Sequence, residues 1–208
     1  MSALWPLVHT ERAALAHDLT GLTGEQWATP SLCAGLSVRE VLAHLTSAAT
    51  LNGVRWFAGV LRCRFDFDRQ VAMRLAEQLG ADGAETFARF RGVVGSTTRP
   101  PLPVVAILGE TIVHGEDIRR PLDLRRDHPI ATLTHVAEYY RRSDMVVPGR
   151  TRGRGLRLAA TDGPLAAGEG PLVTGTTLAL TMALAGRDAF AAELEGDGAE
   201  ILRTRCAA

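Results

Sequence analysis

The chain has 208 residues, 46% of them apolar, which suffices for a sizeable core in one large domain or two small ones. Basic and acidic side chains number 23 each, so zero net charge argues against a broadly nucleic-acid-binding or membrane-bound surface and favours a small-molecule partner. All basic residues are arginine, which excludes a phosphate-binding loop lysine and Schiff-base chemistry.

Three widely spaced cysteines, Cys33, Cys63 and Cys206, form no CxxC pair, and the N-terminus carries no basic-then-apolar leader pattern. A reducing cytoplasm is the expected location. No uncharged run reaches the roughly 18 residues needed to span a bilayer, so a soluble protein is expected.

In "ALWPLVHTERAALAHDLTGL" the residues Leu4, Leu7, Val8, Leu15 and Leu19 recur at helical spacing, and the run ends at Gly21 to Gly24. In "LSVREVLAHLTSAATLNGVRWF", Ser37 followed three residues later by Glu40 is a capping-box pattern, ahead of an apolar stripe of Val38, Val41, Leu42 and Leu45. Residues 67 to 96 are read as one or two further helices broken at Gly80 to Gly83, and "TTRPPLP" as a stiff connector. A fourth main helix, "GETIVHGEDIRRPL", stops near Pro121. A fifth run, "ATLTHVAEYYRRS", precedes "VVPGRTRGRG", whose Arg and Gly content reads as a domain boundary. Beyond it "LRLAATDG" and "AEILRTR" read as short strands, and "TTLALTMALAG" as a helix with Gly186 as C-cap. The expected fold is α+β: a helical bundle over residues 1–147 and a small α/β domain over 148–208.

In the fourth helix, Glu110 and His114 lie four residues apart, which leaves them only about 40° apart around the axis. His44, in the stripe of the second helix, can join them if the two helices are neighbours. Two imidazoles and a carboxylate form a ligand set found in catalytic zinc sites, where an open position remains for water or substrate. The alternative is a set of hydrogen-bonded, partly buried core residues. Asp117 either orients His114 or pairs with Arg119 or Arg120, and Glu116 points away by period into solvent.

The segments "WATPSLCAGLSVREVLAHL", "GETIVHGEDIRRPL" and "GPLVTGTTLALTMALAGRDAFAAELEGDGAEILRTR" together resemble the mycothiol-dependent maleylpyruvate isomerase family of the DinB-like metal-binding superfamily. The resemblance implies an N-terminal four-helix bundle that binds a divalent metal through His44, Glu110 and His114, and a sterol-carrier-like C-terminal domain. It also implies a catalytic arginine at Arg187, in "LAGRDAF". From its position alone, Arg187 could equally offset a helix C-terminal dipole or fork onto a substrate carboxylate. The position after Gly35, often Trp in the family, is Leu36 here.

The implied chemistry uses mycothiol. Its thiolate adds to the cis double bond of an unsaturated diacid, the new single bond rotates, and elimination returns the trans isomer. No redox change is needed, so zinc is favoured, although a His, His, Glu set also suits nickel, iron or manganese. Alternatives are a mycothiol S-transferase acting in detoxification and a non-catalytic metal- or ligand-binding protein. The expected partners are the small-molecule thiol and its electrophile, with the chain a monomer or homodimer.

Among the remaining features, Cys33 reads as a small buried thiol that could approach the site. His9, His17, His128 and His135 read as surface or capping residues. The Arg150, Arg152, Arg154 and Arg157 cluster reads as a solvated linker.

Overall fold

The structure, a computed structural model, describes residues 3–207. It divides into two compact units, one up to Arg125 and the other from Arg126 onward.

The first unit contains α1 (Trp5–Asp18), α2 (Gly24–Ala28), α3 (Val38–Thr50), α4 (Gly53–Arg62), α5 (Phe67–Ala76), α6 (Gly83–Arg91) and α7 (Val104–Arg119), closed by a 3-10 turn at Arg120–Leu122. Helices α1, α3, α6 and α7 pack in a ring in which α1 and α3 each touch both α6 and α7. Their inward faces supply Leu15, Leu19, Val38, Val41, Leu42, Leu45, Phe90 and Ile118, with Trp27 of α2 packed among them. Each such side chain contributes roughly 1.5–3 kcal/mol by leaving water. The close approach of α2 and α6 depends on Gly83, where a Cβ would run into the indole of Trp27.

The capping box predicted at Ser37 is present. The Ser37 hydroxyl accepts from the backbone N–H of Glu40, and the Glu40 carboxylate accepts from the Ser37 N–H. The segment that runs on from this cap through Phe57 forms two helices. Asn52 separates them, because its side chain accepts the N–H of Arg55 and so caps α4 as a new helix.

The second unit contains α8 (Ile130–Tyr140), α9 (Gly149–Gly153), β1 (Arg157–Ala160), β2 (Ala166–Ala167), β3 (Leu172–Gly175), α10 (Thr177–Leu184), α11 (Asp188–Ala191) and α12 (Ala199–Ala207). The sheet order is β2-β1-β3, with β1 antiparallel to β2 and parallel to β3 in a register that sets Leu158 beside Val173. Both are buried, and both strands pack on α10. The glycine expected to end this helix lies one residue past the C-cap Ala185: Gly186 has φ +87°, a conformation that suits glycine.

Two readings of this region differ from the structure. "AEILRTR" is helical, not extended, because Ala199, Leu202 and Cys206 are buried at helical spacing along α12. The unit boundary at 125/126, rather than 147/148, follows from α8, which packs on α10 within the second unit. The result is an α+β fold with a helical first unit and a small mixed sheet near the C-terminus. No helix among the described residues is long and apolar enough to cross a membrane.

Candidate metal centre

The site grows out of two helices that touch. The capping box fixes the start of α3 so that Val38, Val41, Leu42 and Leu45 face the core, which leaves His44 partly buried at the edge of that stripe. On α7, which packs on α3, Glu110 and His114 stack one turn apart.

The three side chains converge. Glu110 Oε2 lies 3.3 Å from His44 Nε2 and 3.4 Å from His114 Nε2. The two imidazoles meet edge to face, with centroids 4.8 Å apart. All three side chains are 15–22% exposed, so the cluster is sheltered but open on one side. One atom from each lies within 4.8 Å of the others, a spacing that a single ion can bridge.

Behind His114 sits Asp117, fully buried, with Oδ2 at 2.9 Å from Nδ1. A carboxylate at that position accepts the Nδ1–H and sets the ring so that Nε2 faces Glu110 and His44. The same oxygen accepts from Cys33 Sγ at 3.0 Å, and that sulfur is 3.4 Å from His114 Nδ1. Asp117 thus orients His114, one of the two roles its spacing suggested. Glu116, expected in solvent, is buried and accepts from Arg119, whose guanidinium also donates to Asp18 of α1.

The charges reflect this crowding. Burial pushes the Glu110 carboxyl up, but hydrogen bonds from His114 and His44 outweigh it and hold the group well below the usual carboxylate range. Burial pushes His114 down, yet its bonds to Asp117, Cys33 and Glu110 prevail and raise it well above an ordinary histidine. Two imidazoles therefore share an ionised carboxylate, an arrangement that a divalent cation can occupy in place of protons. The donor set of two imidazoles and a carboxylate, with a second buried carboxylate behind His114, fits a divalent metal once the cation replaces the protons.

The other sequence candidates lie elsewhere. Arg187, in the second unit, caps α11 half-buried and donates from Nη1 to the Ala185 carbonyl at 2.9 Å. The arginine cluster is not simply a solvated linker: Arg152 donates to the carbonyls of Leu184 and Arg205, and Arg150 pairs with Asp144. His128 is buried, while His9 is hydrogen-bonded to the Ser96 carbonyl. Cys33 is the site residue that spacing alone does not reveal. The signal for it was its place four residues before the helix-starting Ser37, in a connector that must run beside α3.

The comparisons with known proteins agree with this architecture. The sequence profile described as "Mycothiol maleylpyruvate isomerase N-terminal domain" matches residues 8–101. That span includes Cys33 and His44 and ends before α7, so Glu110 and His114 are contributed by the structure. Among solved structures, the fold is similar to the crystal structure of the mycothiol-dependent maleylpyruvate isomerase, with a TM-score of 0.51 and 12% identity over 94% of this chain and 92% of that one. A histidine-to-alanine mutant of that isomerase matches with the same TM-score and coverage at 10% identity. No curated protein sequence matches the chain. Over residues 8–101 the chain is therefore similar to the mycothiol maleylpyruvate isomerase N-terminal domain family, and its fold is similar to that of the isomerase.

Proposed function

We propose that the chain is a mycothiol-dependent metalloenzyme that isomerises a small cis-unsaturated diacid of the maleylpyruvate type by thiol addition and elimination. The observation that carries this reading is the convergence of His44 Nε2, Glu110 Oε2 and His114 Nε2 in the first unit, of which residues 8–101 match the family model. A divalent metal bound there supplies a Lewis-acidic position that lowers the pKa of a thiol or water at neutral pH.

The chain's own residues have separate tasks. His44 and His114 present neutral nitrogen donors, and Glu110 supplies the charge that offsets part of the cation's. Asp117 holds the His114 proton on Nδ1, so that Nε2 stays available. The open side of the cluster is where the thiol enters. Arg187 is the proposed carboxylate anchor, supported by the bidentate geometry of guanidinium with carboxylates.

Elemental analysis of untagged protein tests the first half of this reading. We expect close to one metal per chain in the wild type and little in His114→Ala. Equal metal in both, or none in either after reconstitution, would leave a family fold without its metal chemistry. The second half is tested with mycothiol and maleylpyruvate: trans product formed only in the presence of thiol supports isomerisation, whereas accumulation of a stable S-conjugate identifies a transferase.

A further inference from the structure

We propose that Cys33 is a positioning residue for the metal centre: its S–H holds the buried Asp117 carboxylate in the orientation that presents His114 Nε2 to the ion. This inference rests on the metal reading above.

The argument begins with Asp117. Its side chain is fully buried, and an ionised carboxylate in that setting is tolerated only if donors surround it. One oxygen, Oδ2, takes both the S–H of Cys33 at 3.0 Å and the Nδ1–H of His114 at 2.9 Å. A thiol is a weak donor to neutral acceptors, but a desolvated carboxylate strengthens the bond. Loss of the S–H removes one of the two bonds that meet at Oδ2, and with it part of the restraint that sets the carboxylate and the imidazole bonded to it.

The connector is built to hold the sulfur there. The Leu32 N–H donates to the Asp117 backbone carbonyl at 3.1 Å, so main chain and side chain grip the same residue of α7. The Ser31 hydroxyl accepts the Cys33 N–H and donates to the Leu36 carbonyl, which fixes the turn that carries the thiol. The same turn leads directly into the capping box that starts α3, the helix bearing His44. Cys33 therefore lies at the point where the segment leading to one ligand is fastened to the helix carrying the other two.

A second ion held by Cys33, Asp117 and His114 is the competing arrangement, since their ligand atoms also lie within 4.8 Å of one another. It would require the Sγ and Nδ1 protons both to leave and His114 to bridge two cations. The observed spacings are those of hydrogen bonds around one shared acceptor.

Full-length wild type, Cys33→Ala and Cys33→Ser are loaded with Co(II) under reducing conditions, followed by visible and near-ultraviolet absorption, and titrated against a chelator. Wild type is expected to take up one Co(II) without a thiolate-to-cobalt charge-transfer band. Cys33→Ala should shift the ligand-field bands and weaken Co(II) binding by about 10–100-fold, the usual effect of removing an outer-shell partner. Cys33→Ser, which restores a donor, should return both toward wild type. Cys33→Val serves as the donor-free variant if Cys33→Ala does not fold.

A donor-free variant that matches wild type in affinity and spectrum overturns the positioning role while leaving the metal centre intact. A charge-transfer band, or two Co(II) per chain, would make Cys33 a ligand and overturn it as well. Absence of Co(II) from the wild type would remove the metal reading itself, and this inference with it.

Discussion

Arg119 carries a full charge into the interior of the first unit, 1% exposed, with Nε on Asp18 of α1 and Nη1 on Glu116 of its own helix. Such a group is stable only with its partners. Replacing it by alanine takes the buried cation away from both carboxylates, so Arg119→Ala should lower unfolding stability by about 3–5 kcal/mol in urea titration. A loss below about 1 kcal/mol would mean that the carboxylates relax to water. Helical period misplaced Glu116, for a physical reason: 13 of the 16 residues of α7 are buried, so both faces meet protein and the period no longer separates core from solvent. Glu110 and His114 were legible because their pairing depends only on the i,i+4 relation, which burial leaves unchanged. Asp117→Asn provides a second residue-scale test, since an amide oxygen accepts the Nδ1–H without the charge that makes the carboxylate the stronger acceptor. We expect roughly 10–100-fold weaker metal binding by chelator competition, with little change in melting of the metal-free protein.

Helix α3 links local sequence to the site, because its first turn sets the rotation at which His44 leaves the core. Ser37→Ala removes a side-chain cap and should cost about 1 kcal/mol. Glu40 adds a pH dependence. Hydrogen bonds to the Ser37 side chain and backbone hold its carboxyl below the ordinary glutamate value, against a smaller opposing effect of burial. Its contribution is therefore complete above the unfolded pKa and disappears as pH falls through the lower folded value. Acid titration of stability should show that component in wild type and not in Glu40→Gln; identical profiles would assign the acid sensitivity to other carboxylates. At the α2–α6 contact, Gly83→Ala forces a methyl against Trp27, and overpacking of this kind should destabilise by about 1–3 kcal/mol in thermal melts. The start of α3 was readable from Ser37 and Glu40 because a capping box is wholly local. The α3–α4 break at Asn52 was missed because the apolar pattern continues through it. The helix α12 was mistaken for a strand because seven residues are too few for period alone to decide, and its burial against α10, α11 and β3 is a tertiary fact.

At the scale of the molecule, the sequence suggested two parts and an Arg- and Gly-rich seam between them, yet the seam belongs to the second unit. Arg152 reaches the end of α10 through the Leu184 carbonyl, and Arg205 of α12 returns to the carbonyls of Arg152 and Arg154. Guanidinium groups that satisfy buried or half-buried carbonyls look, in sequence, identical to solvated ones. The same ambiguity applies to Arg187. Its bond to the Ala185 carbonyl gives it a structural task at the α10–α11 turn, and the proposed substrate anchor must be separated from that task. Three measurements on Arg187→Ala achieve this. Metal content should match wild type, since the three proposed ligands belong to the first unit. The melting temperature should fall only slightly, because the turn retains its backbone bonds from Gly186 to Ala183 and from Arg187 to Met182. In the thiol-dependent assay KM for the diacid should rise by about 10–100-fold, the equivalent of one charge-assisted bidentate contact, and Arg187→Lys should recover only part of it. An unchanged KM with a lowered melting temperature would assign Arg187 to the turn alone, and the carboxylate anchor would then have to be sought among other arginines.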